Sequence, residues 1–423
     1  SILNQSFQQW EWLIINDGST EEYACSILDT YRNFDPRIRV IDLPYNMGPS
    51  AARNKGYELA RSNYVAQIDS DDLLEPTAIE KWFWFLETHP EYSFVKGYCI
   101  GFGAMEYCYK GGFHQTENFK VENPVDLNCM VRKSVHQVVG GYDEKNTKGL
   151  EDWDFWMHCA SHGFWGDTIP EYHDWYRRRS DHSAKWPNWT VNNVKEYTAV
   201  LKEHYPILWI NGFPKIKAPI DRPLHLLPED IPANNILKKD KKRLLMILPW
   251  LRLGGADKFN LDLLHQLSSL GWEVSIITTL SGENSWAHEF EKYTPDIFAL
   301  HNFLPPEDFV RFILYFINSR NFDVVMTSSS ILGYHISPYI RANFPHLPIV
   351  DMLHMEEEDG SFGAYPALAI KYNDFFDLHV TATDHLRRKM IENRADKERV
   401  EVCTANVDTD LWNNNRDLIS LRK

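Results

Sequence analysis

The chain of 423 residues is too long for one compact core and matches two or three domains of roughly 100 to 200 residues each. Its 43% hydrophobic and 24% charged residues indicate folded globular domains and exclude a disordered chain. The formal net charge of −15 excludes a protein that binds nucleic acid by neutralising its phosphates.

Strands and helices alternate in the first part of the chain. Short apolar runs predict strands at 12–15, 38–41, 64–68 and 92–100. Between the first two, apolar residues recur on one face of a predicted helix: Tyr23, Ile27, Leu28, Tyr31 and Phe34. This alternation is typical of parallel α/β layers.

Proline separates this part from the next. Seven of the 22 prolines lie between residues 187 and 232, and this density predicts a linker. We therefore expect a first domain at 1–185, a proline-rich linker with helical segments at 186–241, and a second domain at 242–423.

The second domain repeats the alternation. A strand at 244–248 leads through Gly254-Gly255 to a helix with an apolar face, and further apolar runs predict strands at 274–278, 323–327, 349–353, 378–381 and 400–403. The pattern predicts a doubly wound sheet. No apolar run approaches the 18 to 20 residues of a membrane span. The six cysteines form no Cys-x-x-Cys pair, so we expect reduced thiols in a cytoplasmic protein.

Three carboxylates follow the strand at 64–68. Asp69, Asp71 and Asp72 would lie beyond the carboxyl end of that strand, where open α/β sheets bind ligands. Such a group of anions favours a divalent cation, Mg²⁺ or Mn²⁺, held together with substrate phosphates. The alternative is that these aspartates only cap a helix and form a turn.

Other segments add polar groups of the same kind. Asp17 follows the first strand, and the segment 46–56 combines a glycine turn, a helix start and two cations, which favour phosphate. Glu151 and Asp152 open an aromatic-rich helix, and a basic segment with Arg177 and Arg179 comes next. Acidic residues are common in a first helical turn, so Glu151 and Asp152 alone would mean little.

Taken in order, these segments resemble a family 2 glycosyltransferase of GT-A fold over residues 1–183. The resemblance rests on a series of motifs: SILNQSF, LIINDGST, NMGPSAARNKG, IDSDD, GGYDE, EDWDFW and YRRR. The expected fold class is therefore α/β, with a GT-A (nucleotide-diphospho-sugar transferase) domain first.

The resemblance implies a role for each matched residue. Asp17 would recognise the base of a nucleotide-sugar donor and Arg53 would approach the nucleotide, while Asp69 would lie near the ribose and the metal, which Asp71 would bind directly. Asp152 would be the general base with Glu151 beside it, and Arg177 and Arg179 would close over the diphosphate. We also expect Trp153 to face the acceptor.

The resemblance further implies a metal-dependent, inverting transfer of a sugar, with a UDP-sugar as the expected donor and a glycan or lipid-linked molecule as acceptor, in surface polysaccharide biosynthesis. Asp152 would take a proton from the acceptor hydroxyl. The cofactor would be Mn²⁺ or Mg²⁺. Such an enzyme would work in the cytoplasm, with peripheral association at the inner face of the membrane. The family begins with a strand that precedes the segment matched by Ser1, so we expect the chain to be a fragment of a longer product.

Residues 243–412 resemble the amino-terminal, Rossmann-like half of a GT-B glycosyltransferase of family 4 type. The matching segments are LLMILPWLRLGGADKFNLDLLHQL, VTATDHLRRKM and NVDTDLW. This implies an acceptor-binding half with Gly254, Gly255 and His354 near its cleft, and a carboxyl-terminal half that is absent.

Other classes fit less well. A phosphatase of the Asp-x-Asp-x-Thr type would need Thr or Val where Leu73 stands. A nucleotidyltransferase would need a glycine-rich loop with an arginine at the start of the first domain, and the sequence has no such loop there. The remaining alternative is a catalytically inactive carbohydrate-binding or scaffolding protein with transferase-like domains.

Overall fold

A computed structural model describes residues 1–146, 149–180, 191–219, 231–355 and 365–404. The closing motif NVDTDLW lies outside these residues. The chain divides into two compact units, Ser1–Leu237 with His301–Tyr315, and Lys238–Leu300 with Phe316–Lys423. The division follows the proline-rich segment closely, although the exact domain bounds stay a prediction.

Among the described residues, the first unit contains eight strands and seven complete α-helices. The strands are β1 (Trp12–Asn16), β2 (Ile38–Asp42), β3 (Tyr64–Gln67), β4 (Leu73–Leu74), β5 (Phe94–Gly103), β6 (Tyr107–Tyr109), β7 (Cys129–Arg132) and β8 (Gly166–Arg178). The helices are α1 (Glu22–Tyr31), α2 (Pro49–Leu59), α3 (Ala78–Thr88), α4 (Lys133–Val139), α5 (Glu151–Ser161), α6 (Val191–His204) and α7 (Pro206–Asn211).

The sheets of the first unit are mixed rather than purely parallel. Strands β1 and β2 form a parallel pair of their own, while the larger sheet has the order β3-β7-β5-β8-β4, with β6 on β5. Strand β7 runs antiparallel to both of its neighbours, and β8 runs parallel to β5. The expected α/β class is confirmed, but the expectation of only parallel layers is wrong for this unit.

Aromatic side chains build the core of the first unit. Helix α5 and strand β5 contribute Trp156 and Phe94, which are fully buried with ring centroids 4.9 Å apart. Burying such rings contributes about 2 kcal/mol or more each. This core holds α5 in place, so the residues that open the helix have a fixed position.

The second unit is a doubly wound parallel sheet, as predicted. Its seven strands have the order β11-β10-β9-β12-β13-β14-β15. They are β9 (Arg243–Leu248), β10 (Glu273–Thr278), β11 (Ile297–Ala299), β12 (Val324–Ser328), β13 (Ile349–Leu353), β14 (Leu378–Thr381) and β15 (Val400–Val402). Its helices are α8 (Gly255–Ser269), α9 (Ala287–Phe290), α12 (Ile331–Asn343), α13 (Tyr365–Lys371) and α14 (Asp384–Glu392). Helices α10 (Leu300–Phe303) and α11 (Phe309–Arg320) each contain residues of both units. None of the described helices is long and apolar enough to cross a membrane.

Candidate active site

Arg53 joins the two ends of the candidate site in the first unit. It lies on α2 and pairs with Glu151, the first residue of α5, through a contact of 2.5 Å between Nη1 and Oε1. Its Nη2 also lies 3.3 Å from Oδ1 of Asp69, which follows β3. One half-buried guanidinium thus brings together two carboxylates that are 82 residues apart in the sequence (151 − 69).

Asp152 lies beside this group. Its Oδ2 accepts a hydrogen bond of 2.8 Å from Nδ2 of Asn123. Burial raises the pKa of Asp152 to about 7, and the negative charge of Glu151 acts in the same direction, while Arg53 opposes it. A carboxylate with such a pKa can accept a proton near neutral pH.

The carboxylates after β3 have different partners. Asp71 pairs with Arg179, whose Nη2 lies 2.7 Å from Oδ2. Asp72 is buried and accepts hydrogen bonds of 2.8 Å from the backbone N–H of Arg177 and from Asn128. Burial raises the pKa of Asp72 to about 7. Asp72 therefore fixes the loop, while Asp69 and Asp71 remain partly exposed.

Arg177 helps to hold the same loop from strand β8. Its Nε donates 2.9 Å to the carbonyl oxygen of Asp71, and its guanidinium lies 4.4 Å from the ring centroid of Phe102. The structure thus brings Arg177 and Arg179 next to the carboxylates, although the two lie more than 100 residues further along the chain.

Asp17 contacts the loop that starts α2. Its carboxylate accepts hydrogen bonds from the backbone N–H groups of Met47, at 2.6 Å, and Gly48, at 2.9 Å. Gly18 has φ +69°, and a Cβ on it would lie 2.6 Å from the nitrogen of Asn46. Because both carboxylate oxygens bind this loop, Asp17 positions the start of the helix that carries Arg53.

Asn54 was not predicted as a site residue, although it occurs in the motif NMGPSAARNKG. Its Nδ2 donates 2.9 Å to the carbonyl oxygen of Tyr142, and its Oδ1 accepts a bond of 2.8 Å from the N–H of the same residue. Gly141 has φ +83° and passes so close that a Cβ would lie 2.5 Å from Oδ1 of Asn54. Asn54 therefore anchors the GGYDE segment, and the Tyr142 ring lies 5.5 Å from Arg53.

The structure corrects the expectation for Trp153. This residue is 1% exposed, and its Nε1 donates 2.9 Å to the carbonyl oxygen of Phe119. Trp153 belongs to the core and does not face an acceptor. The expectation rested on the aromatic side chain and on its position next to two site residues, but adjacent residues of a helix point about 100° apart.

In the second unit, the predicted residues lie at the carboxyl ends of the strands. Gly254 and Gly255 follow β9 and start α8. His354 follows β13, and its Nε2 lies 3.0 Å from Oγ of Ser328, the last residue of β12. Burial lowers the pKa of His354 to about 4, so it is neutral at physiological pH.

Comparison with known proteins gives one family match in each half of the chain. Residues 1–137 match Glycosyl transferase family 2, and residues 253–411 match Glycosyltransferase Family 4. A putative teichuronic acid biosynthesis glycosyltransferase, TuaG of Bacillus subtilis, is 31% identical over 193 residues, which cover 44% of this chain and 75% of TuaG. The chain belongs to family 2 of the glycosyltransferases.

Two further similarities are partial. An uncharacterized glycosyltransferase of Methanocaldococcus jannaschii is 28% identical over 182 residues, which cover 41% of this chain and 61% of the relative. The crystal structure of S. aureus TarS matches with 16% identity and a TM-score of 0.36, over 47% of this chain and 35% of TarS.

Proposed function

We propose that the first unit transfers a sugar from a nucleotide-diphosphate donor, a UDP-sugar, to a hydroxyl group of a glycan or lipid-linked acceptor, with inversion at the anomeric carbon. The observation that carries the proposal is the contact of Arg53 with both Glu151 and Asp69. It joins the base-bearing end of α5 to the carboxylates after β3. The name of the Bacillus subtilis relative favours an acceptor in surface polysaccharide synthesis.

The chain's own residues fit a divalent ion at Asp69 and Asp71. Each carboxylate uses one oxygen for an arginine, and among the described residues the other oxygen accepts no hydrogen bond. Oxygen ligands suit Mg²⁺ and Mn²⁺. When bound, such an ion would stabilise negative charge on the leaving diphosphate.

Asp152 is proposed as the general base. Its raised pKa lets it take the proton of an acceptor hydroxyl, which then attacks the anomeric carbon while the nucleoside diphosphate leaves. Asn123 orients the carboxylate through its bond to Oδ2. A single displacement of this kind inverts the configuration. Burial is the main reason that the pKa of Asp152 is high, and the negative charge of Glu151 adds to it.

Arg177 and Arg179 are proposed to bind the diphosphate. Arg179 neutralises Asp71 in this structure, so it is already placed at the loop that would receive the phosphates. Bidentate donors of this type match phosphate oxygens. The second unit, with Gly254, Gly255 and His354, is proposed to bind acceptor. We also propose that the protein uses a cytoplasmic donor and acts at the inner face of the membrane.

The test compares UDP-sugar turnover by the full chain with that of Asp71→Asn and Asp152→Asn, in the presence and absence of Mn²⁺. We expect both variants to lose at least about a hundredfold in rate, because each removes a group that acts on the transition state. Asp143→Asn is the matched control, because Asp143 is an exposed acid of the neighbouring GGYDE segment. Equal rates in all four proteins would favour a carbohydrate-binding or scaffolding role instead.

A further inference from the structure

Three side chains that could ligate a metal meet inside the large sheet of the first unit, away from the aspartates after β3. Cys99 of β5, Asp126 and Asp174 of β8 each direct one ligand atom to a common point, with all three atoms within 4.8 Å of one another. Cys99 and Asp174 lie opposite each other in the pairing of β5 with β8. Cys99 is 3% exposed and Asp174 is fully buried.

Asp174 lacks the hydrogen bonds that a buried carboxylate needs. Neither of its oxygens has a hydrogen-bond partner, and the cation paired with it, Lys96, has its Nζ 3.7 Å from Oδ1. An isolated buried carboxylate costs several kcal/mol unless a proton or a cation joins it. Asp174 is therefore held either by a proton shared with Asp126 and Cys99, which lie within reach, or by a cation that binds all three.

Lys96 is committed to the neighbouring carboxylate. Its Nζ donates 2.6 Å to Oδ1 of Asp126, and the backbone N–H of Asn128 donates 3.0 Å to the same oxygen. Cys99 and Asp174 also lie within hydrogen-bonding reach of Asp126. Lys96 and Asn128 both bind Oδ1 of Asp126, so they can stay in place while the cluster binds a second cation.

We propose that Cys99, Asp126 and Asp174 bind a borderline divalent cation of the Zn²⁺ class, at a site separate from the ion at Asp69 and Asp71. A thiolate disfavours Mg²⁺, whereas Zn²⁺ accepts sulfur and carboxylate oxygen together. Zinc–sulfur and zinc–oxygen distances of about 2.3 and 2.0 Å put one sulfur and two oxygen ligands of a tetrahedron roughly 3.3 to 3.5 Å apart. The ligand atoms all lie within 4.8 Å of one another, so each pair needs to close by at most about 1.5 Å.

The charges balance when the ion enters. The metal takes the Cys99 thiolate and the Asp174 carboxylate as ligands, and one proton from each group leaves to solvent, so two positive charges replace two. The ion pair of Lys96 with Asp126 is not broken by this exchange.

Asn128 connects this site to the aspartate loop. Its N–H binds Asp126, its Nδ2 donates 2.8 Å to Asp72, and its Oδ1 accepts 3.3 Å from the N–H of Asp69. An ion that fixes Asp126 would therefore also steady the start of the loop. The role of the ion in this proposal is structural.

The test uses Co²⁺ as a spectroscopic substitute for Zn²⁺, added to chelator-treated full chain. We expect one equivalent to bind with a thiolate-to-cobalt charge-transfer band, and Zn²⁺, but not Mg²⁺, to displace it. Cys99→Ser should abolish the band and weaken binding at least tenfold. Asp174→Asn should also weaken binding at least tenfold, and neither variant should change the fold. Cys108→Ser, which alters an exposed thiol on β6, and Asp71→Asn, at the other proposed metal site, should leave the band unchanged.

Circular dichroism of each variant separates loss of binding from loss of folding. If folded wild-type chain gives no charge-transfer band, the proposal is wrong and Asp174 is simply protonated. A band that persists in Cys99→Ser would also overturn it, as would a band lost in Asp71→Asn.

Discussion

Replacing Asp152 by asparagine should stabilise the ligand-free protein above neutral pH. The pKa of this carboxyl rises from 3.8 to about 7 in the fold, chiefly through burial. At 1.36 kcal/mol for each tenfold change in the ionisation constant, (7 − 3.8) × 1.36 gives a cost of about 4 kcal/mol for holding the ionised form. Because the residue is partly exposed, that figure is an upper bound, and we expect about 1 to 3 kcal/mol.

The sign follows from proton binding. Between pH 3.8 and 7 the folded state binds more protons at Asp152 than the unfolded state does, so the wild-type protein loses stability as the pH rises through this window. Asparagine has the same shape and no charge, so it avoids this loss. The gain should therefore be greatest at pH 8 and close to zero below pH 4.

Thermal unfolding of wild type and Asp152→Asn between pH 4 and 8 measures the effect. Tryptophan fluorescence and circular dichroism should both show a higher melting temperature for the variant at pH 8. Asp143→Asn, which changes an exposed carboxylate, should stay within about 0.5 kcal/mol of wild type at every pH. A difference that does not change with pH, or a variant less stable than wild type at pH 8, would refute the argument from burial.

Three further outcomes follow from the same site. Below pH 7, kcat should rise about tenfold for each pH unit and level off above it, because only ionised Asp152 accepts the proton; a flat profile would contradict this role. Arg53→Met should destabilise the fold by about 3 kcal/mol in urea unfolding, because Asp69 and Glu151 lose their shared partner, whereas Lys55→Met on the exposed face of α2 should cost under about 1 kcal/mol. Asn54→Ala should lower the melting temperature by removing about 1 to 3 kcal/mol of buried hydrogen bonding to Tyr142, and an unchanged value would show that the GGYDE segment does not depend on this anchor.

The sequence predicts the second unit best, because most residues of its strands are apolar, although β13 and β14 also contain the buried Asp351 and His379. Predicted strands 349–353 and 378–381 coincide with β13 and β14, and the others agree within one or two residues. Parallel strands buried on both faces are mostly apolar, so this pattern has few alternative explanations, although the short β11 was not predicted.

The first unit is harder to predict, because its longest strand is polar. Strand β8 contains the sequence GDTIPEYHDWYRR, which has no apolar run, although its backbone pairs with β5 along most of its length. The partners of Lys96 and Lys81 lie on or near this strand, so charge compensation and not apolarity holds several of its residues. Hydrophobic periodicity cannot detect such a strand.

Sequence motifs identified individual site residues, but they did not show which other residues these contact. The sequence series identifies Asp69 and Glu151, but only the fold shows that Arg53 contacts both. Asn123, Asn128 and the Cys99 cluster belong to no motif, and their partners are distant in the chain. Contacts over such separations depend on how the strands are ordered, which local sequence does not determine.

The three hydrogen bonds of Asn128 restrict how this protein can be recombined with its relatives. Its side chain and backbone fit the Asp69 to Asp72 loop on one side and Asp126 on the other. A chimera that takes residues 64–72 from one parent and 123–132 from another would combine the aspartate loop of one protein with the Asn128 segment of a different protein. Crossover points that keep these two segments from a single parent should therefore give a larger fraction of working hybrids.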